Sequence, residues 1–225
     1  MSHGHQYRKR IVLMGPPGGG KGTQAGLMEA LLKVPHISTG EILRKEIDSG
    51  SELGKEIKKR IDGGNFVPDE MIIKILMKRL KEKDAECGYI LDGFPRTVEQ
   101  AEYFDKELKK QGEEIDVVID LQVPDEYTIE RVVGRYSCIK CGATYHDLFK
   151  HPKVEGVCDV CGNTEFKRRK DDTYEVVNKR LKIYRKETSP ILPYYEYQGI
   201  LKTVNGTGSI QQVFRKIQRA LGVAA

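Results

Sequence analysis

The stretch Gly15-Pro16-Pro17-Gly18-Gly19-Gly20-Lys21-Gly22-Thr23 decides the fold because of what stands on either side of it. The apolar run at 11–14 predicts a short buried strand, and residues 24–32 carry apolar side chains at helical spacing. A strand, a glycine-rich turn and a helix form the setting in which backbone N–H groups and a helix N-terminus bind phosphate. Lys21 adds a mobile positive charge. We therefore interpret this stretch as a phosphate-binding loop rather than a flexible turn between two core elements.

One position departs from the general phosphate-loop pattern, which has Ser or Thr directly after the lysine. Here Gly22 separates Lys21 from Thr23. The sequence predicts phosphates on the loop and leaves open whether Thr23 contacts a bound Mg²⁺.

Composition sets the limits of the interpretation. A chain of 225 residues with 39% hydrophobic and 32% charged residues can form one α/β domain with insertions, or two small domains. It has no apolar run near the ~20 residues that span a bilayer, and residues 1–10 lack the apolar segment of a secretory signal. We therefore expect a cytoplasmic protein with reduced thiols and no membrane partner. The net charge of +5 suits an anionic substrate as well as nucleic acid.

Several downstream residues could act on a phosphate or a base. Asp92 ends an apolar run at 89–91, which places its carboxylate where α/β sheets bind ligands and where Mg²⁺ could be held. Arg96 could bind phosphate in a bidentate manner, and the Gln100 amide could read an adenine edge. Taken alone, each has a simpler interpretation: a turn carboxylate for Asp92, a surface helix residue for Gln100, and a helix cap for Thr39.

Strands and helices alternate along most of the chain. A further apolar strand is predicted at 116–121 and a helix at 124–133, so the pattern favours a parallel α/β sheet. Arg131 and Arg135 stand four residues apart and would share one helical face if that helix continued. The alternative is an ordinary basic surface.

Residues 134–172 lack helical periodicity and carry two C-x-x-C pairs. Cys138 and Cys141 form the first pair, Cys158 and Cys161 the second, at a spacing within the zinc-ribbon range. Four thiolates favour a closed, structural Zn²⁺ site, although Fe or Co could occupy the same ligands. Redox use of either pair is the competing interpretation.

Taken together, these motifs resemble those of the adenylate kinases of the long-lid, zinc-binding type, and they occur in the same order as in that family. The resemblance spans residues 10–221 and is carried by five segments besides the loop: Ser38-Thr39-Gly40-Glu41-Ile42-Leu43-Arg44, Val67-Pro68-Asp69-Glu70, Asp92-Gly93-Phe94-Pro95-Arg96-Thr97 with Gln100, Arg131-Val132-Val133-Gly134-Arg135, and Arg169-Lys170-Asp171-Asp172 with Arg180. The Lys21-Gly22-Thr23 order is the family's own version of the loop.

The resemblance implies a P-loop NTPase-type parallel sheet flanked by helices, with two insertions. The core would comprise residues 1–37, 68–133 and 173–225. An AMP-binding helical insertion would comprise residues 38–67, and a zinc-ribbon-like lid residues 134–172. The implied reaction is reversible phosphoryl transfer from MgATP to AMP, giving two ADP, by a monomer without nucleic-acid partners.

The resemblance also assigns site residues. ATP would contact Gly18, Gly19, Gly20, Lys21, Gly22, Thr23, Arg131, Arg135, Thr144, Tyr145 and Gly208. AMP would contact Thr39, Arg44, Asn65, Phe66, Val67, Gly93, Phe94, Pro95, Arg96, Gln100, Arg169 and Arg180. Catalytic roles would fall to Lys21, Asp92, Arg96, Arg135, Arg169 and Arg180.

Three rival functions compete with this interpretation. The nearest is a kinase acting on UMP or CMP, against which Thr39, Gln100 and the cysteine-bearing lid argue. A nucleic-acid binder built on the zinc ribbon and the basic run at 167–170 would leave the phosphate loop unexplained. A phosphate-loop GTPase or ATPase switch would leave the AMP-side motifs without a role.

Overall fold

The computed structural model describes residues 9–62, 67–168 and 172–223. Three of the predicted site residues, Asn65, Phe66 and Arg169, lie outside these ranges. In the rest of the chain, the alternation of strands and helices predicted from the sequence is present.

A five-stranded, all-parallel sheet forms the centre of the molecule, in the order β2-β3-β1-β4-β8. Its strands are β1 (Lys9–Met14), β2 (His36–Ser38), β3 (Gly88–Asp92), β4 (Val117–Gln122) and β8 (Leu201–Asn205). Parallel strands need crossover connections, which here are the helices predicted between them. The order places β1 in the middle, so the loop that follows β1 opens at the carboxyl edge of the sheet, between β3 and β4.

Helices cover both faces of this sheet, with α1 (Lys21–Leu32) and α9 (Ile210–Leu221) on one face and α4 (Asp69–Leu80), α5 (Val98–Lys109) and α8 (Ile191–Tyr197) on the other. The other helices of the described residues are α2 (Thr39–Asp48), α3 (Glu52–Asp62), α6 (Asp125–Val133) and α7 (Tyr174–Ile183). A five-residue π-helical segment, Tyr184–Thr188, continues α7. A short 3₁₀ turn, Lys83–Ala85, precedes β3.

Each face of the sheet buries its own apolar cluster. Because side chains alternate along a strand, Ile11 and Leu13 of β1 join a cluster with α1 and α9, whereas Val12 and Met14 join one with α4, α5 and α8. Residues 11–13 have at most 1% of their surface exposed. The strand that leads into the glycine loop is therefore fixed from both sides.

The cysteine-bearing stretch forms a second, small antiparallel sheet, ordered β6-β5-β7. Its strands are β5 (Arg135–Cys138), β6 (Thr144–His146) and β7 (Phe166–Lys167). Because α6 ends at Val133 and Gly134 follows as its C-cap, Arg135 begins β5 instead of extending the helix. The helix therefore does not continue, which was the condition for Arg131 and Arg135 to share a helical face, and the two arginines lie on different elements.

In the part of the chain that the structure describes, no helix has the length and apolar character needed to cross a bilayer.

Candidate active site

The glycine loop turns sharply between β1 and α1. Gly15, Gly18 and Gly20 have φ values of 140°, 81° and 90°, in the region that favours glycine. A Cβ on Gly18 would lie 2.5 Å from the carbonyl oxygen of Thr128, so that position also has no room for a side chain. The loop therefore passes directly against α6.

The N-terminus of α1 points its first N–H groups towards the loop. Gly20 is the N-cap and supplies no side-chain acceptor, and the first turn contains no acidic residue. These backbone donors and the positive end of the helix dipole are thus available to an anion.

Lys21 folds back over the loop. Its Nζ donates to the carbonyl oxygens of Gly15 at 2.8 Å and Pro16 at 2.9 Å. Burial is the main cause that lowers the pKa of Lys21; Asp92 opposes this effect, and Arg96 and Arg135 add to it. The ammonium group therefore lies within electrostatic range of two carboxylates, Asp92 and Asp120, and of two guanidinium groups.

Asp92 ends β3 beside the loop, as the sequence predicts. Its Oδ2 lies 3.5 Å from His36 Nε2 of the neighbouring strand, and a Cβ on Gly22 would lie 3.8 Å from the same oxygen. Burial alone would raise the pKa of Asp92, but His36, Lys21 and Arg96 together outweigh burial and lower it. The carboxylate is thus kept charged close to where the loop would hold phosphates.

The turn at residues 93–96 is held by hydrogen bonds from several elements. Thr39, the first residue of α2, donates from Oγ1 to the Gly93 carbonyl oxygen at 3.0 Å, and Arg96 Nε donates to the same oxygen at 2.9 Å. Thr188 of the π-helical segment donates to the Arg96 carbonyl oxygen at 2.9 Å. Ser38, not Thr39, is the N-cap of α2, so the cap interpretation of Thr39 is wrong.

Gln100 is 5% exposed and belongs to the same network. It stands in the first turn of α5, whose N-cap Thr97 accepts a hydrogen bond from the Gln100 backbone. Its side-chain oxygen accepts from the Arg96 N–H at 2.7 Å, and its side-chain nitrogen donates to Asp69 Oδ1 at 2.6 Å.

Arg131 and the turn after β8 border the other side of the loop. Arg131 Nη1 donates to the Gly206 carbonyl oxygen at 3.3 Å, and the same atom lies 4.0 Å from where a Cβ on Gly20 would be. Gly208 stands nearby with φ 107°, and a Cβ there would come within 2.8 Å of Gln212 Oε1. The loop, Arg131 and the residue 206–208 turn therefore form one continuous surface.

Arg135 and Arg180 meet at Asp172, which is almost fully buried. Arg135 donates from Nε at 2.9 Å and from Nη2 at 2.7 Å to the two carboxylate oxygens, and Arg180 Nη1 lies 4.0 Å from one of them. Arg180 also adds positive charge near Arg96. The two arginines thus lie on the side of the site where the cysteine-bearing stretch joins the core.

Other predicted residues are more peripheral. Arg44 is exposed on α2 beside Gly40, and Val67 is half-buried just before α4. Thr144 is half-buried at the start of β6. Tyr145 is 1% exposed, and its ring stacks on that of Tyr136.

The four cysteines converge at the end of the small sheet. Their Sγ atoms all lie within 4.8 Å of one another, with Cys138–Cys161 at 3.6 Å and Cys141–Cys158 at 3.5 Å. All four are free thiols. Tetrahedral Zn²⁺ with Zn–S bonds of about 2.3 Å separates its sulfur ligands by roughly 3.8 Å, so this set fits such an ion.

The two cysteine pairs are built alike. Gly142 N–H donates to the Cys138 carbonyl oxygen at 3.0 Å, and Gly162 N–H donates to that of Cys158 at 2.8 Å. Both glycines have φ above 70°, which the tight turn requires. Tyr145 Oη lies 3.4 Å from Cys158 Sγ and accepts a hydrogen bond from the Asp159 N–H at 2.7 Å. His146 points elsewhere, with Nε2 at 3.0 Å from the Glu130 carbonyl oxygen.

Sequence reasoning missed four side chains of this site: His36, Asp69, Asp172 as the partner of Arg135, and Thr188. Pairing of β2 with β3 brings His36 to Asp92. Asp69 bonds to Gln100, which is 31 positions away in the sequence, and Thr188 bonds to Arg96, which is 92 positions away. No local sequence pattern indicates either contact. Asp172 belongs to the segment 169–172 that carries the family resemblance, but the sequence does not indicate that it pairs with Arg135.

Comparisons with known proteins agree with this geometry. The family model described as adenylate kinase matches residues 13–200. A protein of Paramagnetospirillum magneticum named adenylate kinase is 49% identical over 211 residues, covering 94% of this chain and 97% of that protein. Adenylate kinases of Clostridium botulinum strain Langeland and Lachnospira eligens are 50% and 47% identical over 213 residues, each covering 95% of this chain and 98% and 100% of their own lengths.

Proposed function

Because this chain belongs to the adenylate kinase family, it is a phosphotransferase that converts ATP and AMP into two ADP, and we propose that the side chains around its glycine loop carry out the transfer. One observation carries the proposal. Lys21, Asp92 and Arg96 lie within electrostatic range of one another beside the N-terminus of α1, which has no side-chain cap. These groups bring positive charge and one carboxylate to the carboxyl edge of the sheet, where α/β folds bind nucleotides.

On the donor side, the ATP phosphates would bind to the N–H groups of residues 18–23. Lys21 now donates to two carbonyl oxygens of the loop, and a bound phosphate would replace them as acceptor. The adenine of ATP would lie against Arg131 and the turn containing Gly208. Support comes from the continuous surface that these residues form with the loop.

On the acceptor side, AMP would bind over the turn at residues 93–96. Arg96 and Arg44 would bind its phosphate, and Thr39 and Gln100 would line its base. Support comes from the hydrogen bonds that join Thr39, Gln100 and Arg96 around one turn. Asn65, Phe66 and Arg169 belong to the proposal through the family resemblance alone.

Arg135 and Arg180 would bind the transferring phosphoryl group. Asp172 pairs with Arg135 and lies close to Arg180, so these guanidinium groups are already held near each other. Residues 134–172 would then act as a lid over ATP, and residues 38–67 as a second mobile insertion over AMP.

The chemistry needs alignment and charge stabilisation more than proton transfer. An AMP phosphate oxygen is an anion at neutral pH, so the acceptor needs no general base. Lys21, Arg96, Arg135 and Arg180 would stabilise the charge of the transition state in line with the transfer. Excluding water strengthens these contacts and prevents hydrolysis of ATP.

Two metals belong to the proposal. Adenylate kinases use Mg²⁺ with ATP, and Asp92 is the carboxylate best placed to hold the ion or its waters. The four-cysteine cluster is compatible with a structural metal, for which we propose Zn²⁺. Its thiolates would fill the coordination shell, leaving no position for substrate. We further propose that the enzyme acts as a cytoplasmic monomer.

The test is a coupled assay of ADP formation from MgATP with AMP, CMP, UMP and GMP as acceptors. We expect turnover with AMP to exceed that with each other acceptor by at least about a hundredfold in kcat/KM. Equal or faster turnover with CMP or UMP would overturn the assignment of the acceptor. ATP hydrolysis independent of any acceptor would overturn the proposed water exclusion.

A further inference from the structure

The amide of Gln100 is held from two sides by groups of opposite hydrogen-bonding character. On one side the Arg96 backbone N–H lies 2.7 Å from Oε1, and on the other Asp69 Oδ1 lies 2.6 Å from Nε2. The amide itself is buried, with 5% of the residue exposed. Its two partners come from different elements, because Arg96 precedes α5 and Asp69 is the first residue of α4.

This arrangement admits only one orientation of the amide. A backbone N–H can only donate, so the atom facing Arg96 must be the oxygen. A carboxylate can only accept, so the atom facing Asp69 must be the nitrogen. Rotating the amide by 180° would place two donors against each other at Arg96 and two acceptors against each other at Asp69. Asp69 contributes the stronger constraint, since its hydrogen bond is charge-assisted.

Both ends of the amide retain capacity for a ligand. Nε2 has a second hydrogen and Oε1 has a second lone pair beyond those used by Asp69 and Arg96. In the fixed orientation, the amide can offer one donor and one acceptor to a base edge, always in the same order. Adenine presents a donor at N6 and an acceptor at N1. Hypoxanthine, with the same ring size, presents an acceptor at O6 and a donor at N1.

We propose that Asp69 is a specificity-determining residue, which orients the Gln100 amide so that the acceptor site accepts a 6-aminopurine and rejects a 6-oxopurine. The inference rests on the proposed function, because it requires the acceptor base to lie at Gln100. Asp69 acts through Gln100 and is therefore a positioning residue. Asp69 lies two positions after the end of residues 38–67, so it also ties Gln100 to the base of the proposed AMP insertion.

The experiment compares AMP with inosine monophosphate as acceptors at saturating MgATP. Asp69→Ala removes the acceptor that fixes Nε2, whereas Asp69→Asn keeps a neutral oxygen there. Glu70→Gln is the matched control, since Glu70 is an exposed acidic residue in the same first turn of α4. Gln100→Ala tests whether the base is read at this position. Melting curves by circular dichroism establish that each variant is folded.

For Asp69→Ala we expect KM for AMP to rise about tenfold and the ratio of kcat/KM for AMP over inosine monophosphate to fall about tenfold. The kcat with AMP should stay within about twofold, as should KM for ATP when MgATP is titrated separately at saturating AMP. Asp69→Asn should fall between this variant and the wild type, and Glu70→Gln should match the wild type. If the role of Asp69 were purely structural, its loss would lower kcat/KM for both acceptors by the same factor and leave the ratio unchanged.

Two results would overturn the proposal, and they differ in what else they overturn. If Gln100→Ala lowers the ratio and Asp69→Ala leaves it at the wild-type value, then Asp69 does not set the orientation and the proposed acceptor site stands. If Gln100→Ala also leaves the ratio unchanged, the base is not read at Gln100, and the proposed AMP site fails with the inference.

Discussion

The glycine loop and the cysteine-bearing stretch both depend on glycines with positive φ, but they are held in place in different ways. The loop follows a strand that is buried on both faces, where Ile11 and Val12 have 0% exposure. The cysteine-bearing stretch has a much smaller cluster, in which Cys138, Tyr145 and Cys158 are the buried members. Below about 40 residues, a fold usually needs a metal or disulfides because it cannot bury enough apolar surface.

The difference indicates a division of roles. Apolar packing of the core fixes the positions of the groups that would bind phosphate. Metal binding would fix the shape of the lid without taking part in the chemistry. Substitutions of the phosphate-binding groups of the core should therefore lower turnover more than stability. Substitutions of the metal ligands in the lid should lower stability more than turnover.

Lys21→Met should give the largest effect in this comparison. It removes the ammonium group that lies over the loop, and we expect kcat to fall at least about a thousandfold with little change in melting temperature. Steady-state ADP formation and a thermal melt measure the two quantities. Lys106→Met, at an exposed site on α5, is the matched control and should behave as the wild type. Near-normal turnover of Lys21→Met would show that the lysine is not part of the transfer.

Cys158→Ser should give the next largest effect, on stability. Loss of one thiolate from the four-sulfur set should lower the bound metal well below one ion per chain and the melting temperature by several degrees or more. Turnover at mild temperature should fall far less than in Lys21→Met. Cys87→Ser provides the control, because Cys87 lies outside the cluster. A Cys158→Ser variant that keeps its metal and its melting point would exclude a structural site.

Asp147→Asn should give the smallest effect. Arg168 donates two hydrogen bonds to Asp147, at 2.8 and 2.6 Å, and this contact lowers the pKa of the carboxyl group below its usual range. Both side chains are about half exposed, at 45% and 53%, so the pair should contribute less than about 1 kcal/mol.

The pH dependence of that contribution has a definite sign. Because the folded pKa of Asp147 is depressed, the stabilisation is present above the unfolded pKa and is lost as pH falls through the folded pKa. The small gap in melting temperature between wild type and Asp147→Asn should therefore be present at pH 7 and close below about pH 4. A gap that widened on acidification would contradict the ion pair as its cause. Asp48→Asn, at an exposed aspartate of α2, controls for loss of a negative charge elsewhere.

Sequence reasoning predicted the core well because its signals are local. The apolar strand, the glycines, the lysine and the following helix are contiguous, and each restricts the others. The fold class, the family and the convergence of the cysteines are confirmed. The individual roles of the nucleotide-contacting residues stay predictions.

The sequence was less informative where partners are distant or strands are short. The strands of the small sheet have two to four residues, too few to show alternation. Gly134 ends α6 one residue before Arg135, a boundary that helical spacing alone does not reveal. The position of the Tyr145 ring in the cluster around Cys158 is not visible in the sequence, and the predicted contact of this residue with ATP stays a prediction. The contact between Asp69 and Gln100 depends on the packing of two helices and could not be found from either segment.

The most direct test of the division between core and lid is to measure metal content and AMP-dependent ADP formation on the same sample while a chelator removes the metal stepwise. We predict about one Zn²⁺ per chain at the start. As the metal is lost, turnover at mild temperature should persist while the melting temperature falls. A kcat at mild temperature that declined in proportion to the metal, with the melting temperature unchanged, would contradict the account.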